Sequence, residues 1–216
     1  MDSGTIFVLV LSALLLIGYF AGAQYNRRRI RSLYLWLREG MDTLGEGQTV
    51  KAFGSAGFGV HMPKPPAPLR DVTLTLVLEP RETHLYWLLV RARGRRDVLI
   101  FAGKLRRPPS IDLLVVDPRV QVGREALHQV AAQGWEVIPD QPEPGLTMAY
   151  RGTVSSEAAG RFLAAARLVA PTVYRLSIRR EAPHLILTVA PPFASDGSST
   201  AMMADWRRLA EMVVER

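Results

Sequence analysis

The chain opens with a long apolar segment. No charged side chain occurs from Ser3 to Asn26, and the residues from Ile6 to Ala23 are apolar almost throughout. As a helix, that run of about 18 residues would be roughly 27 Å long at 1.5 Å per residue. This length is close to the roughly 30 Å hydrocarbon core of a bilayer. We therefore predict that residues 1–26 form a transmembrane anchor.

The residues that flank this run predict its orientation. Tyr19, Phe20 and Tyr25 lie near its C-terminal end, and amphipathic rings prefer the level of the lipid head groups. A basic cluster follows directly, made of Arg27, Arg28, Arg29 and Arg31. Because positive charge beside a span is retained in the cytoplasm, we predict a single-pass signal-anchor protein of the cell membrane. Its N-terminus lies outside and its C-terminal domain is cytoplasmic.

Two alternatives stay open for this segment. Ala21-Gly22-Ala23 has the small-x-small form of a cleavage site, so the segment could be a signal peptide removed after Ala23. The lack of Lys or Arg before the run, and the basic cluster after it, argue against cleavage. The other alternative is a buried core helix, which the uninterrupted apolarity argues against because a helix packed on a domain normally has a polar face.

Residues 27–61 predict a juxtamembrane amphipathic helix and a small hairpin. Apolar side chains recur at i, i+3, i+4 and i+7 across residues 24–39, so this helix lies either on the lipid surface or against the domain. Residues 50–53 and 58–62 then predict two short strands around a glycine-containing turn. The next segment, residues 62–71, is rich in proline and predicts a stiff, extended linker before the main domain.

The remaining residues, 72–216, alternate between strand and helix patterns. The predicted strands are residues 72–78, 84–93, 98–104, 112–116, 135–138, 147–151, 173–179 and 184–190. Three helices are predicted to begin near residues 123, 156 and 200, the second after Ser155 as its N-cap. The predicted fold class is α+β, with an antiparallel or mixed sheet and about three helices packed on one side.

Composition limits the chemistry. The chain has no cysteine, which excludes disulfides, Cys-ligated zinc, iron–sulfur clusters and a thiol nucleophile. Its four histidines lie apart, without metal-ligand spacing, and the glycines of residues 54–59 lack the lysine of a phosphate loop. We expect no metal and no cofactor, and the sequence identifies no catalytic residue. The polar loop of residues 195–199 is interpreted as the approach to the last helix.

A second basic cluster falls in the predicted hairpin of residues 84–104. Arg91, Arg93 and Arg95 share strand parity and should point to one face, with Lys104 and Arg106 opposite. The full set predicted to contact an anionic surface is Arg27, Arg28, Arg29, Arg31, Arg91, Arg93, Arg95, Arg96, Lys104, Arg106 and Arg107. Lipid is favoured over nucleic acid because the anchor confines the hairpin near the bilayer and no aromatic residues are interleaved for base stacking. A solvated sheet face that contacts neither lipid nor nucleic acid is the interpretation favoured over both.

These patterns favour a membrane-anchored module that is not an enzyme. We predict that it presents a cytoplasmic α+β domain for protein interaction or self-assembly. One alternative is a membrane-associated enzyme of hydrolase type, whose site is assembled from residues distant in sequence. Another is binding of anionic lipid or nucleic acid through the basic hairpin, which would weaken steeply with salt.

Overall fold

Nine β-strands of the computed structural model form one antiparallel sheet, and five α-helices accompany them among the described residues, 2–45, 47–192 and 197–215. The helices are α1 Ser3–Met41, α2 His84–Ala92, α3 Gln121–Ala132, α4 Ser156–Val169 and α5 Ser199–Val214. The strands are β1 Thr49–Ala52, β2 Gly57–Met62, β3 Leu69–Val77, β4 Val98–Leu105, β5 Asp112–Val116, β6 Glu136–Pro139, β7 Thr147–Arg151, β8 Val173–Ile178 and β9 Leu185–Val189. The fold is α+β as predicted, with more helices than the expected three.

The sheet order is β1-β2-β3-β4-β9-β8-β5-β7-β6, and every neighbouring pair is antiparallel. The predicted small hairpin, β1 with β2, belongs to this same sheet because β2 pairs with β3 along its whole length. The proline-rich segment therefore connects two hydrogen-bonded neighbours. The pairing of β4 with β9 joins the N-terminal strands to the C-terminal ones.

Alternation along the strands creates the main core on the inner face of the sheet. In β3, for example, every second side chain is buried. These side chains pack with α4, α5 and the C-terminal half of α1 in one apolar cluster. At its centre the rings of Phe101 and Trp206 lie 5.3 Å apart.

A smaller core lies on the opposite, outer face of the sheet. Leu114 and Val116 of β5 pack there against Ala126 and Val130 of α3. The prediction that the helices lie on one side was therefore wrong. The reason is that β5 is buried at all five positions and so needs cover on both faces.

Residues 84–93 were predicted as a strand, and this prediction was wrong. They form α2, which connects β3 to β4 and does not join the sheet. A short apolar run of this kind fits both the strand and the helix pattern. The basic hairpin of residues 84–104 consequently does not exist, and β4 pairs with β3 and β9 instead.

The apolar segment and the amphipathic segment form one uninterrupted helix, α1, of 39 residues. Its N-terminal half stands clear of the domain, with Phe7 and Phe20 each 67% exposed. Its C-terminal half is fixed in the core through Leu33, Leu37 and Met41. By length and composition α1 is a candidate membrane span, and only 11% of its apolar window is buried in the protein. In a core helix most of such a window would be buried in the protein.

Candidate membrane interface

Two glycines of α1 allow the helix to approach the domain closely. A Cβ built on Gly18 would meet the His84 ring at 2.8 Å, and one on Gly22 would overlap the backbone carbonyl of Arg81. Gly22 and its neighbour Ala23 are buried, whereas the preceding turns of α1 are exposed. The contact between α1 and the domain therefore begins at Gly18, and at Gly22 the backbone of α1 packs directly against the backbone of Arg81.

One turn further on, Asn26 joins α1 to two loops of the domain. Its side chain is fully buried, and its Nδ2 donates to the backbone carbonyls of Ser55 at 3.1 Å and Glu79 at 2.9 Å. Its Oδ1 accepts a hydrogen bond from Arg81 Nη1 at 3.1 Å. All three bonds break if α1 slides or rotates, so Asn26 sets the position of the helix on the domain.

A cluster of five charged residues surrounds this joint, and we call it the junction cluster: Arg29, Glu79, Arg81, Arg91 and Asp97. The Glu79 carboxylate is 1% exposed and lies 3.0 Å from Arg91 Nη1 and 3.6 Å from Arg81 Nη2. Asp97 accepts two hydrogen bonds from Arg81, at 3.0 and 2.9 Å, and lies 3.8 Å from Arg29 Nε. Burial lowers the pKa of Arg81, but its bonds and charge interactions with Asp97 and Glu79 outweigh this and raise it. The cluster is an ion-pair network that ties α1, the β3–α2 loop and β4 together.

Helix α2 carries an apolar stripe that points away from the domain. This stripe, which we call the outer stripe, consists of Leu85, Leu88, Leu89 and Ala92, spaced i, i+3, i+4 and i+7. The three leucines are 76%, 55% and 47% exposed, respectively. On the opposite side of α2, Trp87 Nε1 donates to the Glu79 carboxylate. Polar contacts therefore attach α2 to the domain, and a contiguous apolar face of the helix remains exposed. Exposed apolar faces of this kind are typical of interaction surfaces.

The outer stripe of α2 lies at the level where the apolar run of α1 ends. His84, the first residue of α2, sits beside Gly18, which is four residues or about 6 Å along the helix from Gly22. Helices that lie in a membrane interface are buried by about 5–10 Å into the head-group and acyl boundary. Tyr86, 49% exposed, adds an amphipathic ring at this level.

The structure separates the predicted basic residues into two groups. The group beside the end of the apolar run is Arg27, Arg28, Arg29, Arg31, Arg91, Arg93, Arg95 and Arg96. The distal group is Lys104, Arg106 and Arg107, which lie at the other end of β4, about 25 Å away for a strand of this length. The prediction that Lys104 and Arg106 face Arg91 across a hairpin was wrong, because Lys104 instead pairs with Asp71 of β3 at 3.1 Å.

Other residues considered from the sequence are dispersed. Within residues 2–45, 47–192 and 197–215, no group of three His, Asp or Glu side chains is placed to hold a metal ion. His84 lies beside α1, whereas His184 Nδ1 accepts from the backbone N–H of Leu105 at the far end of β4. The Asp117 carboxylate caps its own turn by accepting from Arg119, whose hydrogen bonds lower the pKa of Asp117.

A cleft of about 380 Å³ lies between α1, α4 and α5, with a mainly apolar lining that includes Trp36, Leu168 and Pro191. Trp36 Nε1 donates to the carbonyl of Gly197 at its rim, at 2.9 Å. The polar loop predicted at residues 195–199 falls partly outside the described residues. The described lining does not bring several carboxylate or histidine side chains together.

The sequence pattern did not reveal the junction cluster or the role of α2. The available signal was the spacing of Leu85, Leu88 and Leu89, which fits a helix with an apolar face next to a basic segment. Compared with known proteins, the chain matches no protein-family model and no curated protein sequence.

Proposed function

We propose that this is a single-pass membrane protein that holds an α+β domain at the cytoplasmic face of the bilayer for protein interaction or self-assembly. The observation that carries the proposal is the continuity of α1. Its N-terminal half is apolar and exposed, and its C-terminal half ends in the core at Met41 without a break. A helix of this kind transmits the position of the membrane span to the domain, with no flexible linker between them.

Helix α2 supports the proposal by supplying a second contact with lipid. Moving the three half-exposed leucines of its outer stripe from water into the interface contributes about 3 kcal/mol, at roughly 1 kcal/mol each. Exposed arginines beside it face the anionic lipids of the cytoplasmic leaflet, where each contributes about 1 kcal/mol. Since α1 already confines α2 to the bilayer surface, the contact between α2 and lipid is intramolecular, and the effective concentration of lipid at α2 is high.

The basic residues support a cytoplasmic domain. Arg27, Arg28 and Arg31 are exposed on α1 immediately after the apolar run. Translocating them would move three hydrated charges across the hydrocarbon core, and positive charge beside a span is retained in the cytoplasm for this reason.

The outer face of the sheet offers a surface for a protein partner or a second copy. Helix α3 covers β5, β7 and β8 there. Side chains of β3 and β4, among them Thr75, Ile100 and Ala102, remain partly exposed on this face. We call this surface the open face. It combines aliphatic and hydroxyl groups, a composition suited to an interface that forms and dissociates.

Topology is tested by cysteine labelling in intact cells, because the chain has no cysteine of its own. Ser198→Cys places a thiol at an exposed position whose side chain caps no helix N–H, and Ser3→Cys places one at the exposed start of α1. We expect a membrane-impermeant maleimide to label the Ser3 variant in intact cells and the Ser198 variant only after permeabilisation. The reverse pattern would refute the orientation, and labelling of Ser198 alone with a shortened chain would indicate cleavage.

The lipid contact of α2 is tested by spin labels on the full-length protein in nanodiscs that contain anionic lipid. A label at Leu88→Cys should be relaxed by oxygen and protected from a water-soluble nickel chelate. A label at Gln129→Cys, exposed on α3, should show the opposite response. If both labels respond alike to the nickel chelate, the outer stripe faces water and is not a lipid contact.

The open face is tested by site-specific photo-crosslinking in native membranes. A photoreactive residue at Thr75 should give one discrete protein adduct, and the same residue at His128, exposed on α3, should give none. The mass of the adduct distinguishes a second copy of the chain from another protein. Equal, diffuse crosslinking at both positions would contradict an interaction at the open face.

A further inference from the structure

Three polar side chains of β8 and its C-terminal extension share the outer face of the sheet. Arg175, Ser177 and Arg179 alternate with Leu176 and Ile178, which belong to the main core on the inner face. Trp135, which follows α3, lies beside them, with its ring 5.3 Å from the guanidinium carbon of Arg179. We call this group of four residues the arginine cluster.

Buried hydrogen-bond donors of the arginine cluster lack partners within the described part of the chain. They are Arg175 Nε, Ser177 Oγ, Arg179 Nε, Arg179 Nη2 and Trp135 Nε1. Buried polar groups are nearly always hydrogen-bonded in native proteins, so a concentration of unpartnered donors in one place indicates a missing acceptor. The Nε and Nη2 atoms of Arg179 form the edge of the guanidinium that binds an oxyanion with two parallel bonds.

The electrostatics also favour an anionic ligand. Among the described residues, no carboxylate lies within ion-pair distance of Arg175 or Arg179. Burial, together with the positive charge of Arg179, lowers the pKa of Arg175 to about 10. Two half-buried guanidinium groups that repel each other are stabilised by an anion between or beside them.

A cleft of about 360 Å³ opens beside the arginine cluster, and Arg179 and Trp135 of the cluster form part of its wall. Its lining is Asp112, Gln133, Trp135, Arg151, Arg179 and Glu181. The carboxylate of Asp112 is already compensated, since Arg151 lies 2.9 Å and Arg180 3.7 Å from it. The lining itself carries two arginines and two carboxylates, and Arg175 and Arg180 beside it give the region a positive excess. An amide and an indole complete its wall.

We propose that this cleft binds a small molecule that carries a phosphate group. The Nε and Nη2 edge of Arg179 holds the phosphate oxygens, and Trp135 Nε1 supplies a further donor. Arg175 adds positive charge, and the ligand body occupies the cleft beside the Trp135 ring. Arg is suited to this role because its planar fork matches the spacing of phosphate oxygens. The cleft lies at the end of β8 that is remote from α2 and from the start of the domain on α1, so the phosphate belongs to a soluble ligand and not to a lipid head group.

The test is calorimetric titration of the full-length protein in nanodiscs with inorganic phosphate, at ionic strength held constant with chloride. We expect saturable binding with one phosphate per chain. Arg179→Gln should weaken the affinity at least tenfold. The matched control, Arg161→Gln, removes the same charge from the exposed face of α4 and should leave the affinity unchanged.

A second variant covers the case in which Arg179→Gln fails to fold. Trp135→Phe keeps the aromatic ring and removes one donor, so it should weaken phosphate binding a few-fold while the protein stays folded. Saturable binding weakened by whichever of these variants folds, and not by the control, supports the proposal. Binding that does not saturate, that chloride reproduces, or that a folded variant leaves unchanged overturns it.

Discussion

Asn26 offers the sharpest test of how α1 is joined to the domain. We predict that Asn26→Ala strongly destabilises the protein, although the change lies in α1 outside the sheet. The side chain makes three hydrogen bonds, with the carbonyls of Ser55 and Glu79 as acceptors and Arg81 Nη1 as a donor. Alanine removes all three bonds and is too small to fill the space that they occupied.

The magnitude follows from the kinds of bond that are lost. A neutral hydrogen bond contributes about 1 kcal/mol net, and one that involves a charged group contributes about 1.5–3 kcal/mol. Two neutral bonds and one charge-assisted bond therefore give a loss of roughly 3–5 kcal/mol. For a chain of this size each kcal/mol lowers the melting temperature by about 2–4 °C, so the expected decrease is on the order of 6–20 °C.

The assay is thermal unfolding of the full-length protein in nanodiscs, combined with hydrogen exchange of the loop between β3 and α2. Asn26→Ala should lower the melting temperature and accelerate exchange in residues 78–83. Gln24→Ala is the matched control, because Gln24 is an exposed amide on the same helix. If the two variants unfold at the same temperature and exchange alike, the side chain of Asn26 does not position α1.

Two further predictions concern other contacts. Gly22→Ala should lower stability by about 1–3 kcal/mol in the same unfolding assay, because a Cβ there overlaps the Arg81 carbonyl, whereas Gly4→Ala, which meets no domain atom, should be neutral. Burial lowers the pKa of His184, and its Nδ1 accepts from Leu105 N–H, so the folded state favours the neutral ring. The unfolded chain therefore takes up the proton first, and stability should fall as the pH drops below about 6.5. His184→Gln should flatten this part of the pH profile, and an unchanged profile would contradict the assignment.

Much of the secondary structure was predictable because its signals are local. The strand of residues 112–116 is observed with those bounds, since five consecutive residues fit a strand buried on both faces. The start of α4 was predicted from Ser155, and its Oγ accepts from the N–H of Ala158 as an N-cap should. In both cases the residues that determine the element lie within it or next to it.

The sheet order and α2 were not predictable in the same way. The pairing of β4 with β9 joins segments about 85 residues apart, and no local pattern selects one strand as the partner of another. Residues 84–93 were assigned to a strand because their apolar side chains fit both periods. What decides in favour of a helix is tertiary: Trp87 and Arg91 both contact Glu79. A helix separates side chains four residues apart by only about 6 Å along its axis, whereas a strand separates them by about 13 Å, too far to meet one carboxylate.

The candidate site was missed for a related reason. The sequence drew attention to uncompensated positive charge, yet Arg29 and Arg91 are partly compensated by Asp97 and Glu79 in the folded chain. Arg81, which makes most of the contacts in the junction cluster, stands alone in sequence between a proline and a glutamate. The sequence gives the number and order of the charged residues, but it does not show which of them form ion pairs in the folded chain.

The geometry of α1 and α2 together constrains the domain more than either helix alone. A single span leaves a domain free to rotate about the helix axis, even when the joint is rigid. In the proposed arrangement the outer stripe removes this freedom, because rotation about α1 would lift Leu85, Leu88 and Leu89 out of the interface and return them to water. The proposed lipid contact would thereby set the orientation of the sheet relative to the bilayer, with the arginine cluster at the end of the sheet away from lipid. A soluble phosphate-bearing ligand could reach that cluster while the open face stays available to a partner at the membrane surface.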